Sequence, residues 1–206
     1  MKVFVNIRTV LALLLCFGFF GATSVFASAV PTEQLEPVIA AIMSILEDES
    51  FAGADKKDER RKAIMCRVKE VFDFQEMSKR ILGKTWRKIS DDERARFTKE
   101  MTALLENTYI SRLEEYSGEK IHYVNERIKG KKAQVDTTVD DGKITIPVSY
   151  IMIFNEESKW MVYDMTIEGV SLIRNYREQF RSILRKDKFS GLIKLLEEKN
   201  ESFSNK

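Results

Sequence analysis

Residues 132–152, KAQVDTTVDDGKITIPVSYIM, decide the fold class because they predict a β-hairpin. Asp141-Gly142 separates two runs of alternating apolar and polar side chains, and Asp-Gly is typical of a two-residue primed turn. Such a turn places Asp140 opposite Lys143. Because successive strand residues point to opposite faces, one face of the hairpin should be apolar and turned inward. The residues predicted on this inner face are Ala133, Val135, Thr137, Val139, Ile144, Ile146, Val148, Tyr150 and Met152.

The neighbouring segments predict one further strand on each side of the hairpin. We expect strands at residues 121–128, 132–140, 143–154 and 159–168, joined in chain order as an antiparallel meander. The simplest pairing places Trp160, Val162 and Asp164 on the same inner face. The register of residues 121–128 stays open, because the turn at residues 129–131 allows several loop lengths.

Apolar residues at helical spacing occupy the chain before and after these strands. Pro37 is expected in the first turn of a helix, and Ser90 with Glu93 forms a capping box for a long one. Two amphipathic helices are expected at residues 171–186 and 189–199. The apolar row of the long helix consists of Phe97, Met101, Leu105, Tyr109 and Leu113.

Together these elements predict an α+β fold. N-terminal helices precede a four-stranded antiparallel meander sheet, and C-terminal helices pack on one sheet face around an apolar pocket. We expect one domain at residues 30–199, followed by a frayed tail at residues 200–206.

The first 29 residues have the order of a secretory signal peptide. Lys2 and Arg8 precede an apolar run at residues 10–20, and small residues follow up to Ala27-Ser28-Ala29. The run is shorter than the roughly 20 residues that a membrane span needs. We expect cleavage after Ala29 or, as the alternative, after Ala27.

Cleavage would leave a chain without net charge and with one cysteine. It would remove two of the 34 basic residues and none of the 32 acidic residues. A neutral chain has no overall field that attracts nucleic acid, so no nucleic-acid partner is expected. Cys66 alone cannot form an internal disulfide, and we interpret it as a small residue in a helix interface.

The sequence offers no recognisable catalytic set, metal site or cofactor motif. Its single histidine, His122, lies in a predicted strand, and no nucleophile elbow, phosphate loop or dinucleotide fingerprint occurs. Asp164 is the one acid predicted to face inward. An inward carboxylate needs hydrogen-bond partners, so Asp164 is interpreted as a structural acceptor, with a functional acid as the alternative.

Several motifs in a fixed order resemble one family. They are Phe72-Asp73-Phe74, Met77, Leu82-Gly83, Trp86, Phe97, Leu104-Leu105, Tyr109, Val148, Tyr150, Trp160-Met161-Val162-Tyr163-Asp164, Ile167-Glu168-Gly169-Val170-Ser171-Leu172, Asn175-Tyr176-Arg177 and Gln179-Phe180. This set is similar to the MlaC family of periplasmic phospholipid-binding proteins, over about residues 32–199.

The resemblance implies a non-enzymatic carrier in an ABC-type lipid transport system. Such a carrier moves phospholipid between an outer-membrane lipoprotein complex and an inner-membrane complex with a ring of MCE domains. We expect a periplasmic monomer that needs no cofactor or metal and contacts membrane complexes transiently.

Two sets of candidate site residues follow from this hypothesis. The first, expected to contact lipid tails, combines the inner sheet face with the apolar stripe of the long helix: Met101, Leu104, Leu105, Tyr109, Val135, Ile146, Val148, Tyr150, Met152 and Val162. The second is a basic row on the helix at residues 171–186, expected to dock a transport partner: Arg174, Arg181 and Arg185, with Arg177 as a possible ion-pair partner of Asp164.

Two other function classes stay open at this point. One is a secreted interaction or assembly protein whose core is filled, because composition alone does not distinguish a core from a pocket. The other is a cofactor-free hydrolase that uses Asp164.

Export with cleavage is directly testable by the intact mass of the protein recovered from the cell envelope. We expect a mass that lacks residues 1–29 or residues 1–27, since both cut sites follow a small residue. Recovery of the full-length chain from the cytosol would contradict the export hypothesis.

Overall fold

The computed structural model describes residues 30–114, 116 and 118–204. The signal peptide predicted at residues 1–29 lies outside the described residues. Six α-helices are described: α1 (Pro31–Glu47), α2 (Lys57–Val71), α3 (Phe74–Leu82), α4 (Asp91–Glu114), α5 (Leu172–Lys186) and α6 (Lys188–Ser204). Five strands are described: β1 (Lys120–Lys129), β2 (Lys132–Asp140), β3 (Thr145–Phe154), β4 (Trp160–Ile167) and β5 (Val170–Ser171). None of the described helices combines the length and the hydrophobicity that a membrane span requires.

The strands form one antiparallel meander in the order β1-β2-β3-β4-β5. The predicted α+β class is confirmed, with four long strands in the expected order. The fifth strand is an addition that the prediction missed. It has two residues, and it returns against β4 through a turn in which Glu168 and Gly169 both have positive φ.

The central hairpin has a longer turn than predicted, so the predicted pairing was wrong. Asp140 lies opposite Thr145 rather than Lys143. Asp141 opens the turn, since its Oδ1 accepts the backbone N–H groups of Lys143 at 2.7 Å and Ile144 at 2.8 Å. Ile144 therefore belongs to the turn and is 58% exposed instead of facing inward.

The shift amounts to two residues, which preserves the face of every other side chain. Val135 lies opposite Tyr150 and Ala133 opposite Met152, and all four are buried on one face. The predicted inner face is thus present apart from Ile144.

A bulge in β4 changes the face of Asp164. Val162 lies opposite Met152, but Asp164 lies opposite Ile151, so one extra residue enters β4 between them. Trp160 and Val162 lie on the predicted face, whereas Asp164 lies on the other face. The expectation that all three share a face was therefore wrong.

Asp164 is nevertheless buried, and it joins β4 to the start of α5. Its Oδ2 accepts the Ser171 hydroxyl at 2.6 Å, and its Oδ1 accepts the backbone N–H of Ile173 at 3.1 Å. Ser171 in turn caps α5 by accepting the backbone N–H of Arg174. The carboxylate thus has the structural role that the sequence favoured.

Helices cover both faces of the sheet, where the sequence predicted one. On the inner face, Leu35 of α1 packs with Val135, Met152 and Trp160. On the opposite face, Ile151 and Ile153 of β3 pack against the cluster that α3, α4, α5 and α6 build. The β3–β4 region is therefore enclosed by two apolar clusters.

Two polar contacts hold the first turns of α1 on the sheet. A bulge in β1 turns Glu126 toward α1, where its Oε2 accepts the backbone N–H and the hydroxyl of Thr32 at 2.7 and 2.6 Å. Gln34 exchanges two hydrogen bonds with the backbone of Trp160, at 2.7 and 2.9 Å. Pro37 lies inside α1 rather than in its first turn, which Pro31 occupies.

The last helix is longer than the sequence predicted. α6 continues to Ser204, whereas residues 200–206 were expected to fray. Asn200 explains the difference, because it is buried and its Nδ2 donates to the carbonyl oxygen and to Oε2 of Glu100, both at 2.9 Å. Residues 205 and 206 lie outside the described part.

The role of Asp164 predicts a specific loss of stability. Asp164→Ala removes the acceptor of two buried donors, and we expect the free energy of unfolding to fall by about 1–3 kcal/mol. Glu156→Ala, in the exposed β3–β4 turn, serves as the matched control and should stay within about 0.5 kcal/mol of the parent. Urea unfolding measures both, and equal values for the two variants would contradict the structural role.

Candidate functional site

An apolar cavity lies between α1, α2, α4 and the sheet. Its volume is about 320 Å³, near the lower end of the roughly 300–1,000 Å³ typical of small-molecule pockets. Every side chain that lines it in the described part of the chain is apolar or aromatic except Glu106. The cavity is therefore suited to an apolar ligand rather than to a polar substrate.

Helical spacing explains why three helices point their apolar side chains into the same space. On α1, Val38 and Ile42 form one row of residues four apart, and Ile39 and Met43 form the next. On α4 the contributing residues are again four apart: Leu105, Tyr109 and Leu113. On α2, Met65 and Val68 are three apart.

The structure brings three of the ten predicted tail-contact residues to the cavity. They are Leu105, Tyr109 and Tyr150. Met101 and Leu104 instead lie in the cluster between α4 and the C-terminal helices, with Phe97 and Leu192. The sheet residues Val135, Ile146, Val148, Met152 and Val162 pack in the cluster that contains Leu35 of α1.

The sequence prediction missed the contribution of the first two helices. Val38, Ile39, Ile42 and Met43 of α1 line the cavity, and all four are only partly buried. The helical period of α1 was visible in the sequence, but the surface against which α1 packs was not.

Among the described residues that line the cavity, one carries a charged side chain, and that side chain is paired. Oε1 of Glu106 accepts the guanidinium Nε of Arg61 at 2.6 Å. Burial raises the pKa of the Tyr150 hydroxyl from its ordinary value to about 12, so this group is even further from ionisation near pH 7 than an exposed tyrosine. The described lining is therefore uncharged away from Glu106.

The described residues offer no metal site and no cavity-facing acid other than Glu106. No group of three or more His, Cys, Asp or Glu side chains in the described ranges could hold a metal ion. His122 is exposed on β1, and Asp164 does not line the cavity. The predicted catalytic alternative based on Asp164 thus has its carboxylate hydrogen-bonded elsewhere.

The basic row of α5 is exposed and lies apart from the cavity lining. Arg181 pairs with Glu178 at 2.6 Å, and Arg174 donates to the carbonyl of Gly169 at 3.3 Å. Arg177 donates to the carbonyl of Arg80, so this guanidinium is directed to α3 rather than to Asp164. Arg185 is exposed in the last turn of α5.

Comparison with known proteins identifies the family. The family model described as MlaC protein matches residues 36–198, which is most of this chain. The chain belongs to the MlaC family. The resemblance that the motifs indicated is therefore confirmed.

One protein named MlaC is similar to this chain over part of its length. The intermembrane phospholipid transport system binding protein MlaC of Haemophilus influenzae is 27% identical over 119 residues, which cover 55% of this chain and 56% of the relative. The alignment thus spans little more than half of that protein.

A solved structure shares the fold. It is the phospholipid-binding protein from Ralstonia solanacearum, determined in complex with a phospholipid. The TM-score is 0.76 at 19% sequence identity, and the match covers 85% of this chain and 99% of that chain. The likeness in fold extends over nearly the whole of that chain.

Proposed function

We propose that this protein is a phospholipid carrier that holds acyl tails in the apolar cavity. The observation that carries the proposal is the cavity of about 320 Å³ between α1, α2, α4 and the sheet, in which Glu106 is the one charged residue of the described lining. A space of this kind accepts hydrocarbon and excludes charged substrates.

Burial of hydrocarbon supplies the driving force for taking up a lipid. Each methylene transferred from water into an apolar site contributes about 0.8 kcal/mol. The described lining offers hydrocarbon contacts rather than a polar readout of the acyl chain, so the volume of the cavity limits how much of a tail it holds. Release then requires a partner that opens the site or offers a competing apolar path.

Family membership, the named relative and the solved structural neighbour support the same function. The Haemophilus influenzae relative is named as the binding protein of an intermembrane phospholipid transport system, and the Ralstonia solanacearum neighbour holds a phospholipid. A carrier of this kind performs no reaction and needs no cofactor or metal, so we propose no catalytic residue.

The proposal includes export to the periplasm after cleavage of residues 1–29. There, the protein would shuttle lipid as a monomer between an inner-membrane ABC complex with an MCE-domain ring and an outer-membrane lipoprotein complex. The exposed arginines Arg174, Arg181 and Arg185 are the proposed docking residues.

The carrier hypothesis predicts different effects for a cavity residue and a core residue. Leu105→Trp should lower the phospholipid recovered per folded molecule, with little change in the melting temperature of delipidated protein, because the larger side chain takes up ligand space. Val148→Trp should instead lower the free energy of unfolding by about 1–3 kcal/mol, because Val148 packs in a filled cluster.

Mass spectrometry of organic extracts and thermal melts of delipidated protein measure the two effects. A parent protein that carries no phospholipid, or a Leu105→Trp variant with unchanged lipid content, would refute the tail site. Either result would favour the alternative function, an interaction protein with a filled core.

The docking hypothesis predicts a salt-sensitive loss of binding. Arg181→Glu with Arg185→Glu should reduce capture by solubilised envelope transport complexes at low salt, while the melting temperature stays within a few degrees of the parent. Lys131→Glu with Lys132→Glu, at the exposed β1–β2 turn, gives the same charge change elsewhere. If both pairs bind equally well, the α5 row is an ordinary solvated face.

A further inference from the structure

The tip of the β1–β2 hairpin concentrates positive charge at one end of the sheet. Lys129 pairs with Lys132, and the two residues of the turn between them are Gly130, whose φ is 58°, and Lys131. A glycine at the first turn position lets the chain reverse this tightly. Three exposed lysines therefore project from four consecutive residues.

We propose that this tip is a contact surface for an anionic lipid bilayer, which it binds through the three lysines and one apolar side chain. Basic residues beside an exposed apolar residue are the pattern by which proteins bind anionic head-group layers. The contact is separate from the apolar cavity, so it goes beyond the proposed carrier function and does not depend on it.

The acids of the same hairpin do not compensate the three lysines. None of the lysine side chains forms an ion pair with another described residue. Glu126 and Asp136 lie about 10 Å or more back along the strands at roughly 3.3 Å per residue, which is about the screening length of salt near 0.1 M. Both are also engaged, since Glu126 accepts two hydrogen bonds from Thr32 and Asp136 pairs with Arg127 at 3.3 Å.

The neighbouring β3–β4 turn reduces the positive charge of this end but does not reverse it. Phe154 donates its backbone N–H to the carbonyl oxygen of Lys131, so the two turns lie side by side. The second turn adds Glu156 and Glu157, and Glu157 pairs with Lys159 at 3.4 Å. Four basic against two acidic side chains leave two surplus positive charges at this end of the sheet.

An apolar side chain is exposed directly behind the lysines. Ile128 is 54% exposed, although it lies opposite the buried Ala133. A convex tip of this kind fits a soft head-group layer, into which Ile128 enters while the lysine stems extend to the phosphates. Lysine is a hydrated point charge without the planar fork of arginine, which suits mobile phosphates better than one fixed carboxylate. These features favour a bilayer over an acidic protein surface.

The tip and the cavity lie toward opposite ends of β1. Ile121 lines the cavity and is separated from Lys129 by about 26 Å along the strand, at roughly 3.3 Å per residue. A bilayer contact at the tip therefore places the cavity end of β1 away from the membrane surface. It would confine the protein to a layer beside the membrane and so raise its effective concentration near membrane partners.

Cosedimentation with lipid vesicles tests the role of the charge. Vesicles of phosphatidylcholine mixed with phosphatidylglycerol are compared with vesicles of phosphatidylcholine alone, at low and at high salt. We expect the protein to bind the mixed vesicles more tightly at low salt and to lose that preference at high salt. Lys129→Gln with Lys131→Gln and Lys132→Gln should weaken binding to the mixed vesicles by about tenfold or more.

The matched control removes three other exposed lysines: Lys120→Gln with Lys143→Gln and Lys199→Gln. Because these lie away from the tip, binding should change by less than about threefold. Glu156→Gln removes an exposed acid beside the tip and should strengthen binding by about twofold or more, a gain that a folding defect would not produce. 

Tryptophan fluorescence locates the apolar contact. On the mixed vesicles, the emission of the Ile128→Trp variant should shift to shorter wavelength and be quenched by brominated lipid. Ile144→Trp, at a comparably exposed position in the β2–β3 turn, is the matched control and should show neither effect. The native Trp86 and Trp160 are buried and contribute a constant background.

Three results would overturn the bilayer contact. They are equal binding of both vesicle types by the parent, equal losses in the tip and control triple variants, and an Ile128→Trp signal no larger than that of Ile144→Trp. A tip variant that binds vesicles normally but is no longer captured by solubilised complexes would assign the tip to a protein partner instead. Solubilised complexes present no bilayer, so reversal of Lys131 and Lys132 remains the control for the α5 row.

The cavity variant separates this proposal from the carrier function. Leu105→Trp should bind the mixed vesicles as the parent does, because Leu105 lines the cavity and not the tip. Vesicle binding by a parent protein that carries no phospholipid would refute the carrier function and support the tip contact.

Discussion

The fixed position of α1 on the sheet is the constraint on which the rest of the structure depends. Glu126 and Gln34 tie the first turns of α1 to β1 and β4, and Leu35 is buried between them at 1% exposure. Because this part of α1 packs on the inner face near β4, Val38 and Ile39 of the next turn lie at the edge of that cluster, and Ile42 and Met43 extend past it over the cavity. The space that they cover is closed by α2 and α4, and it becomes the cavity.

That arrangement provides the apolar surface that the tails of a phospholipid need. Tails need a surface without unpaired polar groups, and the helix rows from α1, α2 and α4 provide it. The charged Glu106 in this wall is paired with Arg61, since an unpaired carboxylate in the apolar wall would be costly.

The elements that sequence alone could predict share one property: their signal is local. Alternation along 132–154 survived a two-residue error in register, because a shift of two leaves every side chain on the same face. The length of the turn depends on which backbone N–H groups the Asp141 carboxylate accepts. The dipeptide Asp-Gly does not reveal those partners. The residue pattern of β4 does not indicate the bulge that turns Asp164 to the other face.

The sequence by itself determined the four long strands of the meander sheet, the helical rows and the family, and it favoured an acceptor role for Asp164. Each of these follows from periodicity, hydrogen-bonding need or motif order, which are properties of neighbouring residues. Only the tertiary structure decided which inward face is filled and which is hollow. Val148 and Leu105 are both apolar and inward in sequence, yet Val148 packs in the cluster of Leu35, whereas Leu105 packs in the other cluster and also lines the cavity. Whether an inward side chain meets another side chain depends on how distant helices dock, and no local pattern encodes that.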